Sequence, residues 1–191
     1  MWGIPLDPRP EKIDDEEVDD DTHGESTKAG ANMFEKMEDV ELVLRFFAYR
    51  KIGEFKTGVN KIFELLDRFI VEGNKFSLEN LNLYRSMFER TINFLLDTLD
   101  CEAFTTNLEP AKRRPTKIIY DPLMFVASGS DVKTHRVNLI KNKAVLRAEL
   151  KAMYGKNPSL FSGRSANFKD TQDRNCLMTK TFANAIAKIK K

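Results

Sequence analysis

The sequence predicts an all-α protein: a single bundle of five to six helices behind an acidic, flexible N-terminal tail. Three observations carry that expectation. Apolar residues recur at helical spacing through most of the chain after residue 31. The stretch Met37–Arg50, MEDVELVLRFFAYR, places apolar side chains on two nearly opposite seams, and a helix built that way must be covered on both sides. Short loops join three successive helical stretches, the pattern of antiparallel neighbours in a bundle. At 191 residues the chain has room for one domain and a tail, which divides it into a tail over 1–31 and a helical domain over 32–191.

In the tail, Pro5, Pro8 and Pro10 precede a run of carboxylates from Asp14 to Asp21. Such a segment buries too little apolar surface to repay ordering. Trp2, Ile4 and Leu6 either anchor in a partner's groove or belong to a flexible end. The central helix is expected from about Asn32 to just before Gly53. One seam holds Met37, Val40, Val43, Leu44 and Phe47; the other holds Leu42, Phe46 and Tyr49. Val40, Leu44 and Phe47 are expected to be fully buried. Glu38, Glu41 and Arg45 share one narrow polar sector between the seams, and Glu41 stands four residues before Arg45, the favourable order for a helix ion pair. An unpaired guanidinium in an enclosed sector is costly, so Arg45 is expected to be held by Glu41.

The second helix, about Gly58 to Glu72, carries a clean stripe and is expected to be core. The third, Leu78–Leu99, has Ser77 as its N-cap, with Phe76 and Leu81 placed as a hydrophobic staple. Asp121 and Pro122 form a cap and first-turn pair opening a short helix through Ala127. A fifth helix over about Asp131 to Tyr154 turns Leu139, Leu146, Leu150 and Met153 inward. The last begins near Thr171, capped by Asp170 or Thr171, and buries Met178, Phe182, Ala185, Ile186 and Ile189.

Composition narrows the function classes. No apolar run approaches the roughly 18 residues a membrane span needs, and the N-terminus has neither the basic start nor the apolar stretch of a secretory signal. The expected address is the cytoplasm, with no membrane contact. Cys101 and Cys176 lack metal-ligand spacing and read as buried thiols. Two histidines, no glycine-rich phosphate loop and no G-x-S-x-G leave no expected cofactor, metal or catalytic residue, and catalysis by this chain alone is not expected. Charge is lopsided: residues 1–44 carry a net −10, residues 45–110 a net −1, and residues 111–191 a net +13. That asymmetry points to a polyanion or an acidic partner surface, or equally to a solvated surface partly neutralised by the head. If nucleic acid is bound, the candidate contacts are the loop residues Lys112, Arg113, Arg114 and Lys117 and the row Arg136, Lys143, Arg147 and Lys151. A solvated face is the default reading of that row.

The run DVELVLRFFAYRK, Asp39–Lys51, resembles a helix of the GmrSD-type restriction and phage-defence proteins. In that prokaryotic family a ParB-like nuclease-fold domain is followed by a helical half. The order after the helix is also similar: an amphipathic helix pair, a Phe-containing stretch at Glu102–Phe104, a basic loop and helix, and FKDTQDR at Phe168–Arg174. The likeness spans roughly residues 33–187. The family's Asp-Gly-Gln-Gln-Arg motif and His-Asn-His region are absent from this sequence. The resemblance implies a non-catalytic helical module, or a split or truncated subunit, of a DNA-targeting restriction protein. It would pack on a ParB-like nuclease or nucleotide-hydrolysing partner and lend a basic surface to DNA. A structural protein–protein interaction module without nucleic-acid contact is the rival reading, and a stand-alone enzyme the third.

Overall fold

The computed structural model describes residues 37–51, 62–105, 108, 116–162 and 168–190. Among these are seven α-helices and no strand: α1 Glu38–Arg50, α2 Ile62–Gly73, α3 Leu78–Leu99, α4 Lys117–Ala127, α5 Ser130–Lys141, α6 Lys143–Lys156 and α7 Phe168–Ile189. A single 3-10 turn, Asp100–Glu102, follows α3. The protein is all-α, as expected, with one helix more than the upper count. The expected tail, 1–31, lies outside the described residues.

The additional helix arises at Asn142, whose backbone (φ −113°, ψ 37°) divides the expected fifth helix into α5 and α6. Leu139 and Leu146 are both fully buried, and their seven-residue spacing runs straight through the break. The apolar pattern therefore reads as one helix. The Asn142 side-chain amide donates to the Asn138 carbonyl at 2.9 Å, a local bond that lets the chain leave the helical path. Helix α3, in contrast, forms where its local signals put it. The Ser77 hydroxyl accepts from the Asn80 backbone N–H at 3.2 Å, satisfying one of the orphan donors of the first turn.

The most deeply buried helix is α4, not α1. Eight of its 11 residues are buried, and Ile119, Leu123 and Met124 share one core with Phe94, Leu95 and Leu99 of α3, Leu139 of α5, Leu146 and Leu150 of α6, and Met178 and Phe182 of α7. Pro122 lies inside α4 rather than at its start. Proline has no N–H for the carbonyl one turn earlier, a defect of about 3 kcal/mol in an exposed helix. Burial of the neighbouring side chains offsets it here. Likewise α7 begins at Phe168, so Asp170 and Thr171 stand within its first turns and Thr171 is buried.

Helix α1 is covered on two sides, by α4 and by α2, but only along its C-terminal half. Val40 is 57% exposed, while Leu44 and Phe47 are half-buried, so the expected full burial of these three fails. The buried residues are Arg45, Phe46, Ala48 and Tyr49. Ala48 joins Leu65, Leu66 and Phe69 of α2 in a small second core, and Phe47 packs against both cores. Its ring lies 6.3 Å from that of Phe69 and 5.1 Å from that of Tyr84. Phe63 and Ile70 of α2 are exposed, so this helix is a cover for α1 rather than core throughout. Both cysteines are free and exposed, against expectation. Cys176 stands two residues before the buried Met178, which places it on the other side of α7. No helix among the described residues is long and apolar enough to cross a membrane.

Tyr154 is almost completely buried, which raises its phenol above the ordinary value. Its hydroxyl has no hydrogen-bond partner among the described residues. A buried, unsatisfied hydroxyl costs about 1–3 kcal/mol. Tyr154→Phe should therefore stabilise the fold by about 1 kcal/mol in a urea melt; a loss of that size would show that the hydroxyl is bonded.

Candidate functional site

The sharpest chemical feature is a chain of four charges between α1 and α4. The Arg45 guanidinium donates from Nε to Asp121 Oδ1 at 2.9 Å and from Nη2 to Asp121 Oδ2. It also donates from Nη1 to Glu41 Oε1 at 3.3 Å and from Nη2 to the Tyr49 hydroxyl at 3.3 Å. Lys117 Nζ donates to Glu41 Oε2 at 2.6 Å. Signs alternate along the chain Lys117, Glu41, Arg45, Asp121. The partners are 76 residues apart in both inter-helix pairs, and Tyr120 donates to the Leu42 carbonyl at 2.9 Å. Farther along, Arg50 reaches Ser128. A near-constant offset means that α1 and α4 run parallel, in register, one turn per pair.

Arg45 and Asp121 are both buried. Burial works against the Arg45 charge, but the hydrogen bond to Asp121 and that residue's negative charge overcome it and hold the guanidinium above its ordinary value. Burial pushes the Asp121 carboxyl up, and Arg45 offsets part of that rise. The Tyr49 phenol is raised by burial and by the Asp121 charge. Arg174, one turn beyond Thr171, is buried and donates from Nε to the Leu160 carbonyl at 2.8 Å. This network is closed and structural in its chemistry: every charge faces an opposite charge.

The expected nucleic-acid contacts fare differently from one another. Lys112, Arg113 and Arg114 lie outside the described residues. Lys117 is bound to Glu41. Arg147 is bound to Asp100 at 3.2 Å and to Glu102, with Lys143 3.9 Å from Asp100. Arg136 donates to the Arg90 carbonyl at 2.8 Å, with its guanidinium 5.6 Å from the Phe94 ring centre. Lys151 is exposed. Much of the basic row is therefore matched by the acidic end of α3 and the turn after it.

Sequence reasoning missed Asp121 as the partner of Arg45. A signal existed: Glu41 and Arg45 are four apart on α1, and Lys117 and Asp121 are four apart with the signs reversed, which makes the two helices complementary in parallel. It also missed where apolar surface is left uncovered. Nine of the ten large apolar side chains exposed among the described residues lie on α1, α2, α3 or the residue before α1, including Met37, Val40, Phe63, Val71, Leu78 and Leu83. Phe63, Ile70 and Val71 share one face of α2. A shallow depression between α5 and α7, lined by His135, Asn138, Leu139, Ile186, Ile189 and Lys190, encloses ≈ 0 Å³, against the roughly 300 Å³ of a small-molecule pocket.

Removing one partner of a buried ion pair costs about 3–5 kcal/mol, whereas replacing both by apolar residues is often neutral. Asp121→Leu and Arg45→Met should each destabilise by that amount, and the double variant should recover most of the loss. Single-variant losses below about 1 kcal/mol in denaturant melts would show that water reaches the pair.

No protein-family model matches the chain, and no curated protein or solved structure matches it.

Proposed function

We propose that this chain is a non-catalytic helical interaction module that docks a protein partner on the outer face of α1, α2 and α3. The concentration of exposed apolar side chains on those helices carries the reading. Contiguous apolar surface beyond a few hundred Å² on a soluble protein marks an interaction site, and each such side chain, fully buried, contributes roughly 1.5–3 kcal/mol before the cost of association. Exposed charges of both signs, Asp39, Asp67 and Glu79 with Arg85 and Arg90, stand on the same helices, which favours a partner with a mixed-charge rim.

The resemblance of Asp39–Lys51 to the GmrSD-type proteins supplies the class of partner. In this reading the chain is a cytoplasmic helical subunit of a DNA-targeting restriction system, and the partner is a ParB-like nuclease-domain protein. Exposed lysines on α5 to α7 favour a second contribution, phosphate contact with DNA by Lys151 and by Lys112, Arg113 and Arg114.

Calorimetric titration of the chain with such a nuclease-domain protein tests the reading. Val40→Glu with Val71→Glu should weaken binding at least tenfold and leave the melting temperature unchanged, because both side chains are exposed. Unaltered affinity in the variant would remove the α1–α3 face from the interface. Absence of protein binding together with salt-dependent binding to duplex DNA would put the nucleic-acid reading in front.

A further inference from the structure

One exposed stripe of α3 is complementary to itself. Glu79, Leu83, Ser86 and Arg90 follow one another at i, i+4, i+7 and i+11, the spacing of a single helix face over about 16 Å. All four are exposed, Leu83 at 59%. Tyr84 and Phe88, which pack on Phe47 and Phe46 of α1, lie on the other side of the helix. Neither Glu79 nor Arg90 forms an ion pair among the described residues. The Arg90 Nε donates to the Ser86 carbonyl at 3.0 Å, which leaves the two terminal nitrogens for another acceptor. Arg85 and Glu89, exposed beside the stripe, are paired with each other at 2.7 Å. The stripe thus has a single acid at one end, a single base at the other, and a leucine next to a small residue between them. We propose that this stripe joins two copies of the chain, with their α3 helices antiparallel about a two-fold axis.

In a two-fold contact residue i meets residue j and j meets i. The midpoint of Glu79 and Arg90 is also the midpoint of Leu83 and Ser86. One register therefore sets Glu79 against Arg90 of the second copy and Leu83 against Ser86 of the second copy, and repeats both in reverse. A leucine over a serine lets the helix axes approach to the usual 8–10 Å or so of packed helices, and the two leucines lie about one turn apart across the axis. Charge selects the orientation, because in-register parallel packing would oppose Glu79 to Glu79 and Arg90 to Arg90. The stripe ends where α5 begins to cover α3: Arg136 reaches the Arg90 carbonyl at 2.8 Å and Asp97 at 4.0 Å. In the proposed register α3 of the second copy starts opposite Thr91, so that helix stops short of α5. A single helix pair buries less than the roughly 1,200 Å² of a standard stable interface, which makes this dimer a reversible, concentration-dependent one. The inference goes beyond the docking of a protein partner, whose test variants stand on α1 and α2.

Sedimentation equilibrium of the full chain over a concentration series up to about 1 mM tests the proposal. The wild type should show a monomer–dimer equilibrium, and Leu83→Glu should weaken it about tenfold or more. Glu79→Arg and Arg90→Glu, each alone, oppose like charges across the axis and should weaken it similarly. An equimolar mixture of those two variants should dimerise as well as the wild type, because every arginine then meets a glutamate. All three positions are exposed, so thermal melts of the dilute variants should match the wild type. A wild type that stays monomeric throughout the series would overturn the proposal. So would a dimer left intact by both charge variants, or a mixture that associates no more tightly than its components. Dissolution of the dimer by Val40→Glu with Val71→Glu, but not by Leu83→Glu, would also overturn it and place the contact on the docking face instead.

Discussion

The buried pair of Arg45 and Asp121 is the constraint on which the arrangement of the helices depends. Neither charge is tolerable alone in that position, since an uncompensated buried ion costs several kcal/mol. Helix α1 can therefore dock on α4 only in the register that joins them. Sliding α1 by one turn in one direction would set Arg45 against Lys117; sliding it in the other would set Glu41 against Asp121. Both slips oppose like charges, so the alternating chain Lys117, Glu41, Arg45, Asp121 acts as a register lock in addition to any stability it contributes. Once α1 is fixed, so is α2, which reaches the rest of the fold mainly through α1 and the aromatic contacts of Phe69 with Phe47 and Tyr84. The outward direction of Met37, Val40 and Val43 follows from the same lock.

A second set of charges joins α3 to α5 and α6. Asp100 sits at φ 56°, ψ −155°, a region that disfavours any residue with a side chain and costs about 1–3 kcal/mol. Its carboxylate faces Arg147 and Lys143, and Glu102 faces Arg147 from the same turn. Part of the positive charge of residues 111–191 is thus consumed inside the fold by Asp97, Asp100 and Glu102. Among the described residues, exposed large apolar side chains are concentrated on α1 to α3 and exposed lysines on α5 to α7.

Legibility in the sequence followed the range of the signal. Helix α3 was legible to the residue because its start is written locally, in Ser77 and the turn it caps. The buried faces of α7 and α3 were legible because Met178, Phe182, Leu95 and Leu99 repeat at the helical period. Helix α4 was misread for a physical reason: an Asp-Pro pair is an ordinary helix start, and only surrounding core, which no local rule reports, makes it a helix interior. Val40 misled because an apolar seam states that a cover is favourable, not that one is present. Asp121 lies 76 residues from Arg45, beyond any local pattern, although the mirrored spacing of the four charges encoded the match. The basic row read as free because the acids that neutralise Arg136, Lys143 and Arg147 sit on α3 and the turn after it, some 40 residues earlier.

If the Arg45–Asp121 pair makes α1 and α4 one cooperative unit, the two helices must open together. Native-state hydrogen exchange at low denaturant measures this directly. The backbone amides of Phe46, Phe47 and Tyr49 should open with the same free energy and the same denaturant dependence as those of Leu123 and Met124. Opening of the α1 amides several kcal/mol more easily than α4, with little denaturant dependence, would show that α1 detaches on its own and would contradict the lock.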